Sequence, residues 1–389
     1  MSIDSWNVQI DRYCEEVNRT VGMTRPAPEI ATGPYSFPLI FKVVTEDLIR
    51  LFATANGDMN PLWRDPGYAA NTRWATVIGP PIFEANLAEY ASIPDPPQVS
   101  GWNSLAGGTR RRYFEPFRPG FVMRAEDTWR GQEEKSDPKR PYRLFRQTAE
   151  RSFINQDDRV ICTIQMRNMC TATPPSDDGS AGVDYSGRVR RRYSPDELAE
   201  IQRGYDDELA GLTHRGQEPR WWEDVEVGDE VPTIMKGPYD VLDAVALIAA
   251  TGNAVAFASK WAQIRSDLAR RPVDGETGAP HHAIDWHLVD SVAQAAGLPY
   301  AHAFGTHLEM MLAHPVTNWI GDDAFVKELD TQIRRVMFLG DVSRAGGHVV
   351  RKYAEGDDHL VELALCLDQQ DGIRVATGTA TVALPSRST

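Results

Sequence analysis

Histidine is missing from the first 213 residues of this 389-residue chain; His214 and eight others follow. The first half therefore has no imidazole of its own for acid/base chemistry near neutral pH. Cysteine is scarce too: Cys14, Cys162, Cys170 and Cys366 stand far apart, with no C-x-x-C pair. That argues against a disulfide framework or a cysteine zinc site and fits reduced thiols. A basic surplus is also absent, since Asp and Glu number 55 against 41 Lys and Arg. The balance argues against a nucleic-acid partner, while leaving room for a local basic patch on a phosphorylated ligand. No long apolar run occurs. The N-terminal stretch "MSIDSWNVQIDRYCEEVNR" carries acidic residues early, unlike a signal peptide or a membrane anchor. A cytoplasmic protein without a membrane partner is the expectation.

What is present divides the chain. Residues 3–22 read as an amphipathic helix with Trp6, Ile10, Tyr13 and Val17 on one stripe, within an N-terminal extension over 1–32. A first domain follows over 33–173. The stretch "PPSDDGSAGVDYSG" then opens a linker over 174–219. Inside that linker Ser194, Pro195 and Glu197 spell an N-cap, a first helical residue and a capping box. A second domain takes 220–389.

The two domains read as copies of one plan. Each starts with a helical stretch ending in a glycine and a polar residue, "TEDLIRLFATANGD" and "VLDAVALIAATGN". Each then has a helix after a glycine, "GPPIFEANLAEYA" from Gly79 and "GTHLEMMLAHPVTNW" from Gly305. Each closes on an arginine-rich strand and a hairpin turning at "NQDD" or "QQDG". Helices first, then antiparallel strands, twice over, predicts an α+β fold.

Within the first copy, "GDMNPLW" followed by Ala69 five residues later resembles the hydratase 2 signature of MaoC-type (R)-specific enoyl-CoA hydratases. That signature has histidine where Trp63 stands. The passage from Tyr193 to Pro232 is similar to the same junction in tandem MaoC-like acyl dehydratases. The resemblance implies a double hot-dog, two units in one chain, each a long helix wrapped by an antiparallel sheet. It implies acyl-CoA substrates, no cofactor and no metal. In the family an Asp and a His hold a water for syn addition across an α,β-unsaturated thioester. A glycine N–H at a helix start polarises the thioester carbonyl.

Trp63 has no basic nitrogen, so the first copy reads as degenerate, with Asp58 and Asn60 kept for turn chemistry and for lining the pocket. In the second copy His287 precedes Ala293 by the same interval that separates Trp63 from Ala69, and Gly305 lies twelve residues further on. His287 is thus the candidate acid/base residue, with Asp285 or His282 as its partner, Gly305 as carbonyl donor and His302 as a further pocket residue. The family's Gly-Asp turn corresponds either to the residues before His287 or to Gly252-Asn253 with an insertion between. His307, Met311 and His314 share a helical face, a spacing better explained by packing than by ligation. Three arginine clusters, at 110–112, 188–192 and 334–335, are candidates for coenzyme A phosphates, and equally for solvated charge. Trp63, Trp74 and Trp102 are candidates to line a cavity for a bulky acyl group. The reading is a hydratase/dehydratase forming a homo-oligomer or pairing with another hot-dog chain. An inactive hot-dog subunit and a thioesterase-type reaction are the alternatives.

Overall fold

The computed structural model describes residues 3–30, 36–88, 90–95, 97, 99, 101–174, 187–251, 273, 278, 281, 283–295 and 297–388. His282 and the pair Gly252-Asn253 lie outside the described residues.

Ten strands form one sheet in the order β1-β3-β4-β5-β2-β7-β10-β9-β8-β6. Strands β1 (Thr24–Pro26), β2 (Trp102–Tyr113), β3 (Arg124–Glu134), β4 (Arg143–Ile154) and β5 (Val160–Ala172) make the first unit. Strands β6 (Glu230–Lys236), β7 (Phe325–Ile333), β8 (Ser343–Glu355), β9 (Asp358–Gln369) and β10 (Arg374–Ala383) make the second. Read outward from the central β2–β7 pair, the two halves have the same strand order, so the repeat seen in sequence is a repeat in space. The seam itself is short, pairing Arg110, Arg111 and Arg112 with Asp330, Leu329 and Glu328.

Local signals account for much of the rest. Helix α1 (Ile3–Asn18) buries Trp6, Ile10, Tyr13 and Val17, the stripe that its periodicity marks. Strand β1, however, pairs with β3 just as β6 pairs with β8, so the first unit begins before residue 33. Thr45 caps helix α2 (Glu46–Ala55) by accepting from the Leu48 N–H. After the short helices α3 (Pro61–Arg64) and α4 (Pro66–Ala69), the helix expected from Gly79 is a single turn, α5 (Glu84–Leu87). The chain is extended by Ala88, and the side chain of Asn86 is committed to the Ala250 carbonyl. Helix α6 (Pro195–Leu209) carries the expected capping box at Ser194 and Glu197. Helices α7 (Val241–Thr251), α8 (Asp290–Ala295) and α9 (Gly305–Ile320) belong to the second unit. Every residue of α9 after Gly305 is buried, the polar His307, Glu309 and His314 included. It touches β2 of the first unit as well as β6, β7, β8, β9 and β10 of its own.

Candidate active site

The first-unit loop is built by turn chemistry. Asp58 accepts from the Asn60 N–H at 2.9 Å, and Asn60 accepts from the Leu62 N–H at 2.8 Å, capping α3. Trp63 then donates its indole N–H to the other Asp58 oxygen at 3.0 Å. The indole helps to reduce the space between Ile78, Gly79, Pro80 and Phe117 to a cavity of about 40 Å³. Across the unit boundary the imidazole that the loop lacks comes from α9. His314 Nε2 lies 2.9 Å from Glu208 Oε1 and 3.6 Å from Asp58 Oδ1. Lys236 Nζ sits 2.6 Å from His314 Nδ1 and donates to the Asn56 carbonyl at 2.7 Å. Burial lowers the Lys236 ammonium from its ordinary value, the carboxylates of Glu208 and Asp58 opposing that shift. A cavity of about 10 Å³ adjoins Asp58 and His314. That is room for about one water and not for a substrate.

Trp63 thus holds a buried carboxylate as well as filling space. In the Trp63→Phe variant that carboxylate oxygen loses its donor, which costs about 1–3 kcal/mol. Urea unfolding monitored by far-ultraviolet circular dichroism will register the loss as a lower midpoint.

The second-unit site has a different character. The 3-10 turn Ala283–His287 leads through α8 to an isolated bridge between His302 and Phe338, and then to α9. His287, His302, Phe304 and Gly305 line one cavity of about 400 Å³, to which the first unit contributes Leu105, Met166 and Met169. His287 Nδ1 sits 2.9 Å from the His302 carbonyl. A proton on Nδ1 makes that hydrogen bond, which leaves Nε2 as the basic nitrogen. The ring stacks on Phe304 at 3.9 Å and lies 4.3 Å from the His302 ring. Gly305 is required by a close approach: a Cβ there would stand 2.8 Å from Ile333 Cδ1 and 3.1 Å from Ala106 Cβ. With no side chain at Gly305, the helix start reaches the cavity wall.

Several sequence candidates sit elsewhere. Asp285 meets His281 at 3.0 Å, while the Nδ1 contact of His287 is a backbone carbonyl; the expected Asp285–His287 pairing is replaced by these two. Trp102 stacks on Phe145 beside α1, Trp74 donates to the Asp322 carbonyl, and Trp63 lines the cavity of about 40 Å³. Arg110 and Arg112 both bind Glu328, and Arg111 is buried between Glu84 and Glu309. Arg188 and Arg191 reach Asp341, Asp371 and Glu197, and Arg190 reaches Asp290. Arg334 and Arg335 are exposed beside the wide cavity and form no ion pair among the described residues. The sequence places His314 on a helical face with His307 and Met311 and gives no signal that it faces Asp58.

Burial favours the neutral form of His287, His302 and His307. His287 is pushed well below its ordinary value by burial and by the neighbouring His302. His302 is pushed down to about 4, and His307, on the buried face of α9, to about 3, burial being the main cause for both. Unfolded histidine titrates near about 6.5, so between that pH and the folded values the unfolded chain binds more protons. Stability contributed by these rings is therefore complete above about pH 6.5 and is lost as pH falls towards 4. Unfolding midpoints measured from pH 7 to pH 4.5 will fall less steeply in a His302→Phe variant than in the parent.

Residues 36–164 match the FAS1-like dehydratase domain region family. Over 98 residues the chain is 35% identical to a UPF0336 protein of Thermobifida fusca (strain YX), a stretch covering 24% of this chain and 64% of that relative. Among solved structures, a MaoC-like dehydratase superposes over 95% of this chain and 100% of its own, at 16% identity and a TM-score of 0.61. A Chloroflexus aurantiacus protein described as a MaoC domain dehydratase superposes over 94% and 96%, at 13% identity and a TM-score of 0.55. RV0216 of Mycobacterium tuberculosis, described as a double hot-dog, covers the same shares at 12% identity and a TM-score of 0.50. The chain has the double hot-dog fold that these structures share, and within its first unit residues 36–164 match the FAS1-like dehydratase domain region.

Proposed function

We propose that the chain adds or removes water at the α,β double bond of an acyl-CoA thioester, with the chemistry in the second unit and the first unit shaping the acyl pocket. One observation carries the reading: His287 and the start of α9 line one wide cavity, whereas Trp63 helps to fill the corresponding place in the first unit. A neutral imidazole can take a proton from water and return it to the α-carbon. Helix N–H groups beside it stabilise the enolate oxygen formed between those two events. Leu105, Met166, Met169 and Leu308 give the cavity an apolar wall. Its size suits a bulky or ring-bearing acyl group, and methionine adapts to such shapes. Arg334 and Arg335 are suited to the coenzyme A phosphates.

The test is hydration of trans-2-enoyl-CoA esters, from short linear to bulky cyclic, followed by loss of the conjugated thioester absorbance. Turnover with a preference for bulky esters is the expected result. A second reading, a silent subunit that partners an active hot-dog chain, is favoured by the contact of His287 Nδ1, which among the described residues is a backbone carbonyl and not a carboxylate. Activity confined to a co-purified complex would select it. Free thiol release without hydration would point instead to a thioesterase.

A further inference from the structure

On the hydratase reading His287 needs a companion to hold the attacking water, and among the described residues no carboxylate meets its ring. We infer that His302 takes that place: its Nδ1 accepts a hydrogen bond from the water that His287 deprotonates. The inference rests on the hydratase reading above.

Three observations carry it. His302 lines the same cavity as His287 and Gly305, with its ring 4.3 Å from that of His287. Its Nδ1 is buried and has no hydrogen-bond partner among the described residues. A buried polar nitrogen left without a partner calls for a ligand or a water. Trp286 also lies edge-on to both rings, 5.6 Å from each, and with Phe304 fixes the pair in place. Both rings are neutral for the reasons given above, so each offers a lone pair rather than a second proton.

The step balances within the site. The water oxygen bonds to Cβ as one O–H breaks, and that proton goes to His287 Nε2. The π pair of the alkene moves onto the thioester, whose oxygen is held by the N–H groups at the start of α9. His302 keeps the other O–H oriented throughout. The proton on His287 then passes to Cα, which restores the neutral ring. Dehydration runs the same steps in reverse.

The experiment compares His302→Phe, which keeps the ring's bulk, and His302→Asp, which restores a carboxylate, with the parent on its best enoyl-CoA ester. For His302→Phe we expect kcat to fall about 100-fold, as loss of an oriented water predicts, with KM changed less than about threefold. In His302→Asp we expect at least tenfold of that loss to be recovered. Calorimetric binding of butyryl-CoA, which cannot be hydrated, checks that each variant keeps an intact pocket. If His302→Phe binds butyryl-CoA normally and keeps the parental kcat while His287→Ala is dead, the His302 assignment is overturned and the hydratase reading stands. A loss of kcat that His302→Asp does not recover also overturns it, since it assigns the ring a packing role. If the parent turns over no ester, the hydratase reading fails and the role of His302 fails with it.

Discussion

His287→Ala lowers hydration of the preferred enoyl-CoA ester by roughly a hundred- to ten-thousandfold, the range for loss of a positioned acid/base group. The size follows from what remains. His302 keeps its lone pair, but with the side chain of residue 287 gone its backbone carbonyl loses a donor and its ring a neighbour. The His314 imidazole is no substitute, because it sits beside a cavity of about 10 Å³ facing the other unit's loop. KM should move little, because the apolar wall and the rim arginines are untouched. Stopped-flow absorbance gives kcat and KM separately. A large rise in KM with kcat preserved would mean that His287 binds substrate rather than moving protons. The alanine variant must also retain butyryl-CoA binding, so that collapse of the stack on Phe304 is not mistaken for lost chemistry.

The second large effect concerns the centre of the molecule. Arg111, Glu84 and Glu309 are each at most 3% exposed, with Arg111 at 2.6 Å from one carboxylate and 2.7 Å from the other. Glu84 comes from the short first-unit helix and Glu309 from α9, so this trio links the two units. Arg111→Met removes the shared cation and strands two carboxylates in the core, costing about 3–5 kcal/mol. The sign of its pH dependence is fixed. Burial already raises the Glu84 carboxyl and Arg111 opposes that shift, so without Arg111 it titrates higher still in the folded protein than in the unfolded chain, and the folded state binds the extra proton. The variant's deficit then shrinks as pH falls and grows as pH rises. Denaturation at pH 8 and pH 5.5 measures this directly. The compensated triple variant Glu84→Leu/Arg111→Met/Glu309→Leu should recover most of the loss. A deficit independent of pH would show that Arg111 acts by packing alone.

The repeat, the hairpin turns, the α1 stripe and the Ser194 cap were legible because each depends on residues a few positions apart. The spacing from His287 to Gly305 was legible for the same reason, and it names two residues that share the wide cavity. What could not be read crosses the seam. The sequence "TRRRY" looks like a phosphate site until β2 pairs with β7 and sets two of its arginines on Glu328, with the third between Glu84 and Glu309. Asp285, one of two candidate partners of His287 and only two residues before it, is brought by the turn it occupies to His281. His314 could be matched with Asp58 only once α9 was known to lie against the first unit's loop.

Asp58 and Trp63 are held by a bond to each other, and Asp58 lies among charged groups from the other half of the chain. A loop relieved of chemistry would ordinarily be free to drift, but these two cannot change without harming the whole molecule. On the proposed reading, a signature motif can outlive its reaction, because folding guards it after catalysis has moved to the other unit. Counting such motifs across genomes would then count scaffolds as enzymes, and the residue that separates the two is the one at the histidine position.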